Sequence, residues 1–211
     1  MQRTYRTPSA FEAYATTTYR ILLDCLARPG QIGHIPDPSE VVRTMPALDT
    51  DAPNPNGFVL ASCMTLLDQE TSLVQLWRGT PLPLQHPLVE WTRIRTNHAN
   101  APLPQSMFAV IWDETSYPAL HQLQRGSLTF PEHGATAFIA VDELTHTNAT
   151  WILSGPGIRD TQALGIRPDT SALGHILCQA RTDYPLGIDV FLIDRHGNCV
   201  GIPRSTTITV S

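Results

Sequence analysis

Three short stretches of the chain, Phe108–Trp112, Ala137–Val141 and Val190–Ile193, are apolar at every position. They are short enough for strands, and polar or turn-forming residues bound them. A strand without a polar side has no face to give to water, so both of its faces must be covered. "TSLVQLW" and "ATWILS" add two further strands. Between the strands, "HPLVEWTRIRT" and "TSALGHILCQART" carry helical periodicity, and "YPALHQLQ" is a short helix before the turn at Gly126. Strands that alternate with helices and are buried on both sides predict an α/β protein, a three-layer α/β/α sandwich. At the end of the chain "IDVFLID" leads through the turn "RHGN" into "CVGIPRSTTITV", read as a final strand pair or a hooked strand. That hairpin-like ending makes the expected sheet mixed rather than all parallel.

The first helix is expected over "SAFEAYATTTYRILLDCLARPG", where Ser9 and Glu12 have the spacing of a capping box. Phe11, Tyr14, Ala15, Tyr19, Leu22, Leu23 and Leu26 recur at helical spacing, and Pro29-Gly30 ends the run. "GFVLASCMTLLD" is apolar almost all round and reads as a buried helix. The Pro-, Asp- and Asn-rich stretch "DPSEVVRTMPALDTDAPNPNG" reads as loop. "TQALGIRP" makes a poor long helix, because Gly165 and Pro168 interrupt it. No repeat or linker divides the 211 residues, so a single domain over 1–211 is expected.

All 14 basic residues are Arg; the chain has no Lys. Without Lys there is no Schiff base to a carbonyl substrate or to pyridoxal phosphate, and no P-loop. A net charge of −5 disfavours a nucleic-acid partner. No apolar run reaches the roughly 18 residues of a membrane helix. The first residues lack the apolar centre of a signal peptide, so the expected compartment is the cytoplasm. The four cysteines, Cys25, Cys63, Cys178 and Cys199, form no C-x-x-C pair, and buried free thiols are expected.

"WILSGPGIRD" joins a strand to Gly155-Pro156-Gly157. It offers half of a dinucleotide fingerprint, with Asp183 at a ribose-binding distance. However, Asp160 stands where the third Gly belongs, and Pro156 removes one N–H. Two readings stay open: a tight turn, or an anion loop in which Gly155, Gly157 and Arg159 join Arg28 of "LARPG" and Arg204 of "IPRSTT". No nucleophile elbow and no H-x-x-x-H pair occurs, and His196 and Cys199 fall in an expected turn, so no metal site is expected. Asp68 and Glu70 read as turn residues rather than as an acid–base pair. No catalytic residue is assigned.

Taken together, "LARPG", "TLLDQET", "GSLTFPE", "LSGPGI", "YPLGIDVFLID" and "IPRSTTITV" run in order from about residue 9 to 210. In that order and spacing they resemble the H subunit of the carbon–phosphorus lyase system, the PhnH family. The resemblance implies a mixed-sheet α/β/α fold similar to the main domain of pyridoxal-phosphate-dependent transferases but without the cofactor. A chain without Lys agrees with the missing cofactor. It further implies work in phosphonate catabolism, in a core complex with the G, I and J subunits. With G, I and L the family supports displacement of adenine from ATP by a phosphonate, giving ribose 1-phosphonate 5-triphosphate. The chemistry is attributed to the I and J subunits, and no catalytic residue carries over to this chain.

The leading expectation is therefore an accessory subunit without a cofactor, homodimeric when isolated. The rival is a stand-alone nucleotide- or phosphonate-binding enzyme with its anion site at the Gly-Pro-Gly loop. Convergence of Arg28, Gly155, Gly157, Arg159 and Arg204 on one cleft separates the two. A nicotinamide dehydrogenase is a third reading, resting only on the partial glycine motif.

Overall fold

The structure is a computed structural model that describes residues 9–49, 51–167, 171–181 and 183–210. The three apolar runs form its centre. Strands β2 (Ser72–Trp77), β5 (Phe108–Ile111), β6 (Thr136–Ala140) and β10 (Asp189–Ile193) lie side by side and parallel. Their side chains alternate between two cores. Leu73, Val110, Phe138 and Phe191 enter one; Val74, Ala109, Ile139 and Leu192 enter the other. Both faces are thus buried, and this is why the runs carry no polar residue. Phe138 and Phe191 are register partners and stack with ring centroids 5.0 Å apart.

Antiparallel strands extend this centre. The Arg195–Gly197 turn brings β11 (Asn198–Ile202) back along β10, and β1 (Gly33–His34) pairs with β11. At the other edge β3 (Thr80–Pro81) folds back on β2 through Arg78 and Gly79, both at positive φ. The short β4 (Ala99–Asn100) lies parallel to β2. The result is an eight-stranded mixed sheet, as the hairpin-like ending implied.

Helices cover the Phe138 face. Helix α1 (Ala10–Ala27) begins with the expected capping box: Glu12 Oε2 accepts from Ser9 N at 2.6 Å, and Ser9 Oγ accepts from Glu12 N at 3.2 Å. It buries Tyr14, Thr18, Leu22 and Cys25 against the sheet. Phe11, Tyr19 and Leu23, which share the helical spacing, stay exposed. The apolar arc of the helix is wider than the face the sheet can cover. Helix α2 (Ser39–Val42) is a single turn within the expected loop. Helix α3 (Gly57–Met64) is buried almost all round, with Asn56 accepting from Phe58 N at its start. Helix α4 (Pro87–Thr96) places Leu88 in the same core.

The opposite face departs from expectation. Helix α5 (Ser171–Gln179) and the 3-10 stretch Glu114–Gln122 pack there, but so does a second, four-stranded antiparallel sheet. Its order is β12 (Thr207–Val210), β8 (Trp151–Ser154), β9 (Gln162–Arg167) and β7 (Glu143–Thr145). The third layer is therefore part sheet, not helices alone. "TQALGIRP" supplies β9, and the polar segment before "ATWILS" supplies β7; neither was expected as a strand. β7 buries only Leu144 fully, so it gives the sequence almost no period to read. Nor do the last strands form one hairpin: β11 stays in the main sheet, and β12 crosses to pair with β8. No helix among the described residues is long and apolar enough to cross a membrane.

Candidate functional site

Strand β8 ends at Ser154 and the chain turns at once. Ile158 N donates to Gly155 O at 3.1 Å, closing a four-residue turn around Pro156 and Gly157. Proline in the second place and a glycine at φ +84° in the third are the pattern of a type II turn. Pro156 has no N–H to offer, and that of Ile158 is spent inside the turn.

The turn is also wedged between two remote segments. A Cβ on Gly157 would lie 2.5 Å from Ala27 O and 2.8 Å from Pro29 Cδ. One on Gly155, itself at φ +129°, would lie 2.9 Å from Ser205 O. Gly30 closes the contact, since a Cβ there would meet Leu153 Cδ1 at 2.8 Å and Gln162 Cγ at 2.6 Å. The backbone of "LSGPGI" thus touches those of "LARPG" and "IPRSTT", and the close approach at Gly155 and Gly157 leaves no room for a side chain.

The arginines do not follow their backbones to one place. Arg28 pairs with Asp24 one turn back along α1, on a surface where both side chains are more than half exposed. Arg159 is exposed and has no ion pair among the described residues. Arg204 turns to the amino end of β10. Its Nε donates to Asp189 Oδ1 at 3.2 Å, its Nη2 to Asp189 Oδ2 at 2.6 Å, and its Nη1 to Pro131 O. The Asp189 carboxylate also accepts from Arg204 N at 2.8 Å. Gly134 lies so close that a Cβ on it would collide with this guanidinium. Backbone convergence is therefore present, while the three guanidinium groups diverge.

Arg204 borders a cleft of about 330 Å³ with Arg181, Ser205 and Thr206, and with Cys178 and Tyr184 at its side. The other four expected site residues do not line it. Arg181 is the residue the sequence reading missed. Only 8% of it is exposed, and its Nη2 donates to Ile202 O at 2.8 Å. Among the described residues its Nε and Nη1 have no partner, and neither has Thr206 Oγ1. Burial pushes the guanidinium down to about 10, with Asp189 acting in the opposite sense and Arg204 in the same sense as burial. It remains charged at neutral pH. Nothing local marks Arg181 in "LCQARTD"; only the fold brings it beside Arg204.

The remaining chemistry-bearing residues have structural duties. Asp68 Oδ1 accepts from Glu70 N, and Asp68 O from Thr71 N, so the two carboxylates belong to a turn as expected. His196 is exposed while Cys199 is fully buried, so they share no face. Asp183 pairs with Arg125 at 3.4 Å. The buried thiol of Cys63 is raised by desolvation. Among the described residues no three His, Cys, Asp or Glu side chains converge to hold a metal ion.

Fold and site together define an α/β protein with a recess bordered by two arginines beside the amino end of β10. Comparison with known proteins gives that class a family. The family described as bacterial phosphonate metabolism protein (PhnH) matches residues 10–209, and the chain belongs to it. A similar protein is the alpha-D-ribose 1-methylphosphonate 5-triphosphate synthase subunit PhnH of Rhizobium meliloti (strain 1021). The two are 24% identical over 195 residues, which covers 92% of this chain and 90% of that protein.

Proposed function

We propose that the chain is a subunit of the carbon–phosphorus lyase core complex in organic phosphonate catabolism. It supports the formation of ribose 1-phosphonate 5-triphosphate from ATP and a phosphonate, and it acts as an accessory subunit rather than as the catalyst. Its partners are the G, I and J subunits, with L needed for function, and its compartment is the cytoplasm. The observation that carries this reading is the family match over residues 10–209. The exposed stripe of Phe11, Tyr19 and Leu23 on α1 supports a surface that is covered in an assembly, and in a homodimer when the chain is alone. Kinship of the main sheet with pyridoxal-phosphate-dependent transferases belongs to the same reading, although a chain without Lys cannot form their internal aldimine.

A stand-alone enzyme built on the Gly-Pro-Gly turn has less support. Pro156 has no N–H, the Ile158 N–H is spent within the turn, and Arg28 and Arg204 are engaged by carboxylates. Reconstitution of the core complex with and without this chain tests the proposal. The chain should co-purify with its partners, and its omission should abolish or sharply reduce ribose 1-phosphonate 5-triphosphate formation. A chain that never associates, and whose omission changes nothing, would overturn it.

A further inference from the structure

We propose that the cleft formed by Arg181, Arg204, Ser205 and Thr206 binds the phosphate or phosphonate group of a small molecule, with Arg181 as the charge that holds it. The argument begins with charge. Two guanidinium groups and one carboxylate meet at the amino end of β10. Asp189 is held by Arg204 through both carboxylate oxygens, so its charge is already matched. Arg181 is the surplus cation. More than nine-tenths of it is buried, and among the described residues only the carbonyl of Ile202 accepts from it. One carboxylate shared between two guanidinium groups compensates the buried Arg181 charge only in part, which is unfavourable and leaves the corner short of one negative charge.

The surroundings suit a tetrahedral oxyanion. Thr206 Oγ1 is buried without a partner among the described residues, and Ser205 adds a second hydroxyl in the wall. Hydroxyls beside a guanidinium can serve oxygens that point in different directions, as those of a phosphoryl group do. At about 330 Å³ the cleft is larger than a bare phosphate needs and admits a substituent on it. Gly187, at φ +147°, lets the loop close over this corner: a Cβ there would stand 3.1 Å from Arg204 Cβ and 3.7 Å from Arg181 Cγ. No residue of the Gly-Pro-Gly turn lines the cleft, although Gly155 packs against the backbone of Ser205 and Thr206.

Calorimetry and thermal unfolding of the isolated full chain test this at constant ionic strength, with inorganic phosphate, methylphosphonate and acetate as probes. Phosphate and methylphosphonate should bind one per chain and raise Tm, and acetate should bind at least about tenfold more weakly. Arg181→Met should weaken phosphate binding by at least about tenfold while raising the ligand-free Tm by about 2–4 °C, because an unmatched charge has gone. Should that variant not fold, Thr206→Val reads the same site and should weaken binding about three- to tenfold. Phosphate affinity unchanged in Arg181→Met, or in Thr206→Val when it alone folds, would overturn the proposal. So would a wild type that binds neither anion; if Arg181→Met then also lost complex assembly, the missing counter-charge would be a carboxylate of a partner subunit. Methylphosphonate is chosen because of the proposed function, but the phosphate arm is not, so this site can fail or hold independently of membership in the complex.

Discussion

Arg204 and Asp189, 15 residues apart, face each other as a two-pronged pair at the amino end of β10, with N···O distances of 3.2 and 2.6 Å. Their side chains are 14% and 22% exposed, so the pair is neither a surface ornament nor fully dry. It also fixes the start of β10, since Asp189 accepts from the backbone of Arg204 as well. Asp189→Asn keeps the shape and removes the charge, leaving two unmatched guanidinium groups in one corner. The expected loss is about 3 kcal/mol. Asp24→Asn, which breaks the exposed pair with Arg28, should cost no more than about 0.5 kcal/mol. Urea unfolding of both variants gives the comparison, and equal effects would contradict this reading of the Arg204 pair.

The Gly-Pro-Gly turn makes the second prediction. Gly157→Ala meets a left-handed φ and the Ala27 carbonyl together. It should destabilise the chain by about 2 kcal/mol or more, while Pro156→Ala should cost less than about 1 kcal/mol. The same two variants, followed by calorimetry with phosphate, distinguish a structural wedge from an anion loop. A wedge loses stability with anion affinity intact in the folded fraction; an anion loop would lose affinity first.

The main sheet was legible because its strands carry their burial in their composition. Phe108–Trp112 and Val190–Ile193 could only be covered on both sides, and they are. The second sheet was not legible. Leu144 in β7 is one buried residue between two half-buried ones, and β9 reads as an interrupted helix until Trp151 and Leu164 are seen as register partners. The site divides in the same way. The glycines of "LSGPGI" were visible as a motif because a close backbone approach restricts what can stand there. Where Arg28 and Arg204 would point was not visible, since a side chain follows its nearest carboxylate, and Asp24 and Asp189 settle that only in three dimensions. Arg181 could not have been found at all, because its interest lies in lacking a partner.

A third prediction concerns pH. His98 is 3% exposed, and burial, aided by Arg93, lowers its pKa from the usual 6.5 to about 4. The imidazole is therefore neutral in the fold and takes up its proton more readily when unfolded. Between pH 4 and 6.5 the unfolded chain binds more protons, so stability rises with pH across that window. The contribution is complete above about pH 6.5 and is lost progressively down to about pH 4, a total of about 3 kcal/mol. Urea midpoints measured at intervals across the window should show this slope in the wild type and a flatter one in His98→Gln. Parallel slopes would mean that other groups carry the acid sensitivity.

The last prediction concerns the outer face of α1. Phe11, Tyr19 and Leu23 are 38%, 51% and 55% exposed, and with Ala15 they fall at four-residue steps along a single stripe. The core needs none of them, because Tyr14, Thr18, Leu22 and Cys25 already meet the sheet. Exposed apolar residues in a continuous stripe are retained where another surface covers them. Tyr19→Glu with Leu23→Glu should therefore leave the melting temperature of the monomer within about 2 °C, since neither side chain is buried in it. The same double variant should lose self-association in sedimentation, or co-purification with the G, I and J subunits, or both. Should it assemble as the wild type does, the stripe is not the interface, and the contact must lie on another face of the molecule.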